Sequence, residues 1–263
     1  MEQGLTIIIY ALLFIFGASI GSFINCLVWR QNNNMKVVNA RSQCVHCGRQ
    51  LSWWENVPIF SFLFLRGRCR TCKKKIPAYY FVNEFFCGFL FVCVYWTILI
   101  HFQDSWWRFA RDIVLLSFLV VIFFGDMLYR VIWPIVIWPA TIIGFLFNWL
   151  FLGVPISSML IGVAIGGGFF LVQYAVSRGR WIGGGDVRMG VMMGVWLGFP
   201  AIVAAIFMAY FLGGFAAILL LISKKKKWSA SAQIAFGPFL ALATIWALYH
   251  GEKSINWIIS LFG

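Results

Sequence analysis

The chain has 263 residues, of which 62% are hydrophobic and only 11% are charged. Soluble globular proteins carry about 25% charged residues, so this composition excludes that class and indicates an integral membrane protein. The formal net charge of +13 suits a bilayer with anionic headgroups. Nucleic-acid binding is not expected, because nearly all of the positive charge lies beside apolar runs.

Eight apolar runs predict an α-helical polytopic membrane protein with about eight transmembrane helices. The first run has no basic residue before it and no small-residue cleavage site after it, which predicts a retained span. The sixth run is short, so it predicts a partial helix or one that its neighbours shelter. The runs cover residues 5–28, 79–101, 112–128, 131–152, 159–176, 187–199, 200–222 and 230–249.

The basic residues predict the orientation of the spans, because Lys and Arg near spans are retained in the cytoplasm. Eighteen of the 21 fall on one set of alternate loops. We therefore expect both ends of the chain to lie outside the cytoplasm, with the large polar loop and Lys224–Lys227 on the cytoplasmic side. The basic segments are 29–78, 129–130, 177–188 and 223–228.

The polar segment 30–78, between spans 1 and 2, is too short for a large core and needs a staple. Cys44-x-x-Cys47 and Cys69-x-x-Cys72 have the spacing of a four-thiolate zinc site. Disulfides are disfavoured on a reducing cytoplasmic face, and a redox motif is disfavoured because two copies occur without a βαβ pattern. We predict a closed structural zinc site in a small cytoplasmic domain.

Two acids lie near the ends of apolar runs on the same predicted side. Asp186 follows Gly183-Gly184-Gly185, whose lack of side chains lets another peptide approach, and Asp126 ends the third run. Two carboxyls that share a site cannot both ionise, so one serves as base and the other as acid in peptide hydrolysis. We hypothesise that they form the pair of an intramembrane aspartic protease. Asp126 is otherwise an interfacial acid neutralised by Arg130.

Small and breaking residues mark further sites of close packing. Gly17-x-x-x-Gly21 predicts a helix–helix contact, whereas Asn25 fits either packing or site lining. The segment Phe236-Gly237-Pro238-Phe239 interrupts the start of the last span, which is tolerated only where protein or a cavity covers the freed backbone. We expect this break to approach the two acids.

These motifs resemble the prepilin peptidases, also called type IV leader peptidases. Gly183-x-Gly185-Asp186 with Arg188 resembles their Gly-x-Gly-Asp-x-Lys motif, with Arg in place of Lys. Asp126 followed by Ile132-Trp133-Pro134 is similar to their first aspartate motif, with Trp-Pro in place of Leu-Pro or Ile-Pro. Further similar blocks are Gly21–Asn25, Cys44–Cys72 with Trp53–Pro58, Glu84, and Phe236–Phe239.

The resemblance implies an enzyme that removes the basic leader of prepilins or pseudopilins, in type IV pilus, type II secretion or competence systems, at the cytoplasmic face of the bacterial inner membrane. Members with the cysteine loop also methylate the new amino terminus with S-adenosylmethionine, for which the sequence has no independent signature. The expected domains are a first transmembrane helix (1–29), a cytoplasmic four-cysteine zinc domain (30–78) and a transmembrane peptidase domain (79–263).

Glu55 and Glu84 are the other acids on the predicted cytoplasmic face. We hypothesise that one or both receive the basic residues of the leader or the new amino group of the substrate. The alternative is that they serve only helix-end and loop electrostatics.

Other classes of protein fit the residues less well. A zinc-stapled transporter or channel would use Asp126 and Asp186 as ion or proton ligands, but the chain has no repeated halves and both acids lie at span ends. A zinc adaptor would leave the glycine–aspartate segment unexplained. Signal peptide peptidases share Gly-x-Gly-Asp but lack the cysteine loop.

Overall fold

The computed structural model describes residues 2–35, 41–101, 106–222 and 234–262. Across these residues the protein is helical and has no β-strand, only two isolated bridges in the cysteine segment. The chain divides into two compact units, Met1–Val120 and Val121–Gly263. The predicted boundary at residue 29 lies inside the first helix, which continues to Asn32.

Nine α-helices and two short irregular turns make up the described chain. A 3-10 turn, Trp53–Asn56, precedes the second helix, and a π-helical turn, Phe147–Phe151, extends the fifth. The helices are α1 (Glu2–Asn32), α2 (Phe60–Phe64), α3 (Ala78–His101), α4 (Trp106–Tyr129), α5 (Pro134–Leu146), α6 (Ile156–Ser177), α7 (Gly184–Leu197), α8 (Ala201–Ile222) and α9 (Gly237–Phe262).

Six of the described helices are long and apolar enough to cross a membrane, which makes the chain a multi-pass membrane protein. The predicted number of eight spans is not confirmed. Helix α7 has 14 residues and reaches only about 21 Å, short of the roughly 30 Å hydrocarbon layer. The six are α1, α3, α4, α5 with its π-helical turn, α6 and α8.

The last helix differs from the predicted apolar run at 230–249. It begins at Gly237 and continues past residue 249 through a polar stretch that includes Glu252 and Lys253. Residues 230–233 and Lys224–Lys227 lie outside the described residues. The helix begins directly at the predicted Phe-Gly-Pro-Phe break, because a proline at an early helical position needs no hydrogen-bonded amide.

In the first unit, α1 and α3 pack through the predicted glycine face. A methyl group on Gly17 would lie 2.7 Å from the carbonyl oxygen of Cys87, and one on Gly88 would lie 2.8 Å from that of Phe14. Only glycine allows two backbones to approach this closely. The predicted helix–helix contact at Gly17-x-x-x-Gly21 is therefore confirmed.

In the second unit, α6 and α7 also meet through glycines. A methyl group on Gly190 would lie 2.5 Å from the carbonyl oxygen of Gly166, and one on Gly194 would collide with the backbone of Gly162. Helix α7 is enclosed by its neighbours, since Met189 and Met193 have no exposed surface. The short run is thus the sheltered helix that the sequence predicted.

Candidate functional site

Four cysteines of the loop between α1 and α3 form a cluster that could hold a metal ion. The sulfur atoms of Cys44, Cys47, Cys69 and Cys72 all lie within 4.8 Å of one another. The Cys44 and Cys72 sulfurs are 3.9 Å apart, close to the about 3.8 Å edge of a tetrahedron with metal–sulfur bonds of about 2.3 Å.

The two Cys-x-x-Cys turns have the same backbone geometry. The amide of Cys44 donates to the carbonyl of Arg49 (2.9 Å), and the amide of Cys69 donates to that of Lys74 (2.9 Å). The fourth residue after each first cysteine, Gly48 and Lys73, has a positive φ of 69° and 57°. Two matched turns thus present their sulfurs to one point.

Glu55 is paired inside this loop. One of its carboxylate oxygens accepts from Arg49 at 2.6 Å, and the other accepts from the backbone amide of Ser52 at 2.9 Å. The Arg49 guanidinium holds the pKa of the Glu55 carboxyl below its usual range. This pairing favours the alternative in which Glu55 serves loop electrostatics.

Glu84 and Asn25 lie where α1, α3 and the loop meet. The Glu84 carboxylate is buried and accepts a hydrogen bond of 2.7 Å from the amide of Ile59. The Asn25 amide donates to the carbonyl of Tyr80 (3.0 Å), and its oxygen accepts from Asn83 (2.8 Å). Asn25 therefore joins α1 to α3, the packing role of the two that the sequence left open.

Asp126 lies on the last turn of α4 and is 7% exposed. Its carboxylate accepts a hydrogen bond of 2.8 Å from the backbone amide of Gly237, at the start of α9. The break before α9 therefore approaches Asp126, as the sequence predicted. Among the described residues Asp126 has no ion pair with Arg130, whose amide instead closes the end of α4 by donating to the Asp126 carbonyl (2.8 Å).

Asp186 lies in the first turn of α7 and is 9% exposed. Its carboxylate accepts from the amide of Gly183 at 3.0 Å, at the positive end of the helix. The Arg188 side chain donates back to the carbonyl of Gly184 at 3.0 Å. Residues 183–188 thus form one ordered turn that fixes the position of the carboxyl group.

The connector between α4 and α5 joins the segments of the two aspartates. A methyl group on Gly125 would lie 2.6 Å from the ring of Trp133, and one on Gly185 would lie 3.0 Å from the Ile132 side chain. Consecutive connector residues therefore touch the glycines directly before Asp126 and Asp186. The structure thus brings the two predicted acids into one buried region.

Such a pair can perform acid–base chemistry without a metal. Two carboxyls of like charge in a buried region share one proton, because ionising both would cost more than ionising one. The pair then offers an ionised oxygen and a protonated oxygen at the same time.

A cluster of aromatic rings that supports Gly237 was not predicted from the sequence. The ring of Phe236 lies 5.2 Å from Tyr210 on α8 and 6.3 Å from Phe170 on α6. The Tyr210 hydroxyl donates to the side-chain oxygen of Gln173 at 2.7 Å. Tyr210 and Gln173, two polar side chains within apolar runs, were the sequence features that could have indicated this cluster.

Comparison with known proteins identifies the family. Residues 15–98 match the model of the Bacterial Peptidase A24 N-terminal domain, and residues 113–218 match that of the Type IV leader peptidase family. The chain belongs to the type IV leader peptidase family. It is therefore an enzyme, a membrane peptidase, and the transporter alternative is set aside. Gly237 lies beyond the matched residues.

Curated relatives cover the whole chain. A protein of Aeromonas hydrophila is 27% identical over 100% of this chain and 98% of its own length. Proteins of Bacillus subtilis (strain 168) and Neisseria gonorrhoeae are 29% and 26% identical, over 95% and 92% of this chain and 98% and 92% of their own lengths. Each of the three is named a prepilin leader peptidase/N-methyltransferase. No solved structure matches the chain.

Proposed function

We propose that this leader peptidase removes the basic leader from type IV prepilins or pseudopilins, with Asp126 and Asp186 as its catalytic pair. The observation that carries the proposal is the two buried carboxyl groups, each accepting a hydrogen bond from the backbone amide of a glycine. The names of the relatives support the substrate class.

The pair acts on a water molecule and the scissile amide together. The ionised carboxyl takes a proton from water, whose oxygen attacks the carbonyl carbon, while the protonated carboxyl donates to the carbonyl oxygen. The C–N bond then breaks as the leaving nitrogen takes up the proton that the first carboxyl took from water, and the proton on the former carbonyl oxygen returns to the second carboxyl. The two groups titrate as one unit, so neither Asp126 nor Asp186 has a fixed role as acid or base.

The turn before Asp186 is the proposed contact for the substrate backbone. Gly183 carries no side chain, so an extended peptide can lie beside the acids, whereas the side of Gly185 where a side chain would project is filled by Ile132. The Arg188 side chain donates a hydrogen bond of 3.0 Å to the Gly184 carbonyl, which supports a fixed turn. Glu84 stays a candidate acceptor for the cationic groups of the substrate.

The proposed location is the bacterial inner membrane, with the pair at the cytoplasmic face. Asp126 is near the end of α4 and Asp186 at the start of α7, so water can reach both from the membrane edge. The basic residues of the same loops favour anionic headgroups. In this proposal the first span, the four-cysteine domain and the peptidase domain follow one another at 1–29, 30–78 and 79–263.

The ion at the cysteine cluster is proposed to be zinc. Four thiolates at nearly tetrahedral spacing fit zinc, and a closed set of four sulfurs leaves no position for a catalytic water. The residues that hold it would be Cys44, Cys47, Cys69 and Cys72. Its contribution is to fold a loop that has little core of its own.

Replacing a cluster cysteine tests the zinc assignment. Cys72→Ser should release the metal, and the loop should become sensitive to protease, because three sulfurs hold zinc more weakly than four. The matched control is Cys93→Ser, since Cys93 lies on α3 outside the cluster. Elemental analysis should find one zinc per chain in the wild type and the control. Full zinc content in Cys72→Ser would contradict the assignment.

Methylation of the new amino terminus is the second part of the proposed activity. When bound, S-adenosylmethionine would supply the methyl group for the new amino nitrogen. The relatives' names support this activity.

The whole proposal is tested with the purified chain and a prepilin. Mass spectrometry should find the pilin without its leader in every reaction, and one methyl group heavier only when S-adenosylmethionine is present. An intact prepilin would contradict the peptidase proposal. A cleaved pilin that never gains a methyl group would contradict only the second part.

A further inference from the structure

A cavity in the first unit lies between the cysteine loop and helices α1 and α3. About 140 Å³ of it admits the centre of a water molecule, within about 1030 Å³ of empty space that includes the mouth. The 140 Å³ would hold about ten water molecules, at roughly 10–15 Å³ of such space for each. Every lining residue falls between Ser22 and Glu84, so the cavity shares no residue with the Asp126–Asp186 pair.

The walls combine aromatic and apolar side chains with acids. Trp29 comes from α1, Phe62 from α2 and Tyr80 from α3, and each contributes an aromatic ring that a flat heterocycle could stack against. Glu55 and Glu84 supply the carboxylates, and the cations Arg30 and Lys74 line the same cavity. Such a wall suits a ligand with an aromatic ring at one part and polar groups at another.

The two carboxylates differ in what balances their charge. Glu55 has Arg49 at 2.6 Å, whereas Glu84 has no ion pair within the residues that the structure describes. Its hydrogen-bond partners are neutral, namely the amide of Ile59 at 2.7 Å and the side chain of Ser22. A buried carboxylate without a cation is costly, and a cationic ligand beside it would remove that cost. Glu84 therefore points to a ligand that carries positive charge.

We infer that this cavity binds S-adenosylmethionine, with Glu84 as the residue that selects its positive charge. The inference rests on the methylation part of the proposed function and names the site for it. The ligand has an aromatic purine and a sulfonium cation, the two features that the aromatic wall and Glu84 complement.

The cavity also borders the cysteine cluster. Cys44 and Cys69, one from each Cys-x-x-Cys turn, form part of its wall. Loss of the metal would therefore remove one side of the cavity. Cys72→Ser should lower the affinity for the ligand even though the Cys72 side chain does not line it.

Binding to the full-length chain in detergent tests the inference without any catalytic turnover. The probes are sinefungin, which has an ammonium cation in place of the sulfonium, and S-adenosylhomocysteine, which has a neutral sulfur there. By calorimetry, sinefungin should bind about tenfold more tightly than S-adenosylhomocysteine, in keeping with one charge-assisted contact of about 1.4 kcal/mol. Glu84→Gln, which can still accept from Ile59, should abolish that preference and leave S-adenosylhomocysteine binding unchanged.

A second variant addresses the location itself. Ser61→Trp should fill the cavity and block both probes, while Asp126→Asn should bind them as the wild type does. Wild-type binding by Ser61→Trp, an unchanged preference in Glu84→Gln, or no binding to the wild type would each overturn the inference. The binding experiments measure no cleavage, so their outcome does not depend on the peptidase assay.

Discussion

Asp126→Asn and Asp186→Asn should each lower the rate of prepilin cleavage by about 10²–10⁴-fold. An amide can neither take a proton from water nor share one with the partner carboxyl, so either change removes the function of both groups. The expected fall is in kcat, with KM little changed, because the carboxyls act on the transition state. The measurement is a time course of leader removal by purified protein at equal concentration.

The double variant makes this prediction sharper. If the carboxyls act as one unit, Asp126→Asn with Asp186→Asn should lose about as much activity as either single variant. Glu252→Gln is the matched control, since Glu252 is an exposed acid on α9, and it should cleave at the wild-type rate. Losses that multiply in the double variant would mean that the two acids work separately.

Gly237→Ala should lower cleavage by about 10²-fold although it changes no acid. The added methyl carbon would lie 2.8 Å from a carboxylate oxygen of Asp126 and 3.0 Å from its β-carbon. Either the start of α9 or the Asp126 side chain must move, and the hydrogen bond from the Gly237 amide is lost. The measurement is kcat and KM for prepilin, and kcat is expected to fall.

Another glycine of the same unit provides the control. A methyl group on Gly214 would meet no atom within 4 Å, so Gly214→Ala on α8 should cleave normally. Gly237→Ala and Gly214→Ala should both unfold at about the same temperature as the wild type. Full activity in Gly237→Ala would show that the amide of residue 237 does not position Asp126.

Residues with distinctive chemistry were predictable from the sequence, and contacts made by the backbone were not. Cysteine pairs and acids beside apolar runs are rare enough that Cys44, Asp126 and Asp186 stand out by type and place. The amide of Gly237 has no such signature, because every residue except proline carries that donor. The sequence predicted that the Phe236–Phe239 break approaches the acids, but not that the Gly237 amide donates to Asp126.

Spatial neighbours from distant or adjacent segments were also beyond the sequence. Nothing in Ile132 and Trp133 indicates that consecutive side chains touch Gly125 and Gly185. The cavity beside Glu84 likewise depends on how the cysteine loop meets two helices. The number of spans is not confirmed for a simpler reason. Hydropathy counts α7 as a run, but only packing decides whether a 14-residue helix crosses the membrane or is enclosed.

The backbone amides that donate to the two aspartates limit how this enzyme can diverge in sequence. Both hydrogen bonds come from main-chain nitrogens, so substitutions that leave Gly183 and Gly237 in place do not remove the donor of either bond. Substitutions around the two acids can change which substrate fits, while the hydrogen-bond donor beside each carboxylate is kept. Variation should therefore tune which pilins are accepted long before it abolishes hydrolysis itself.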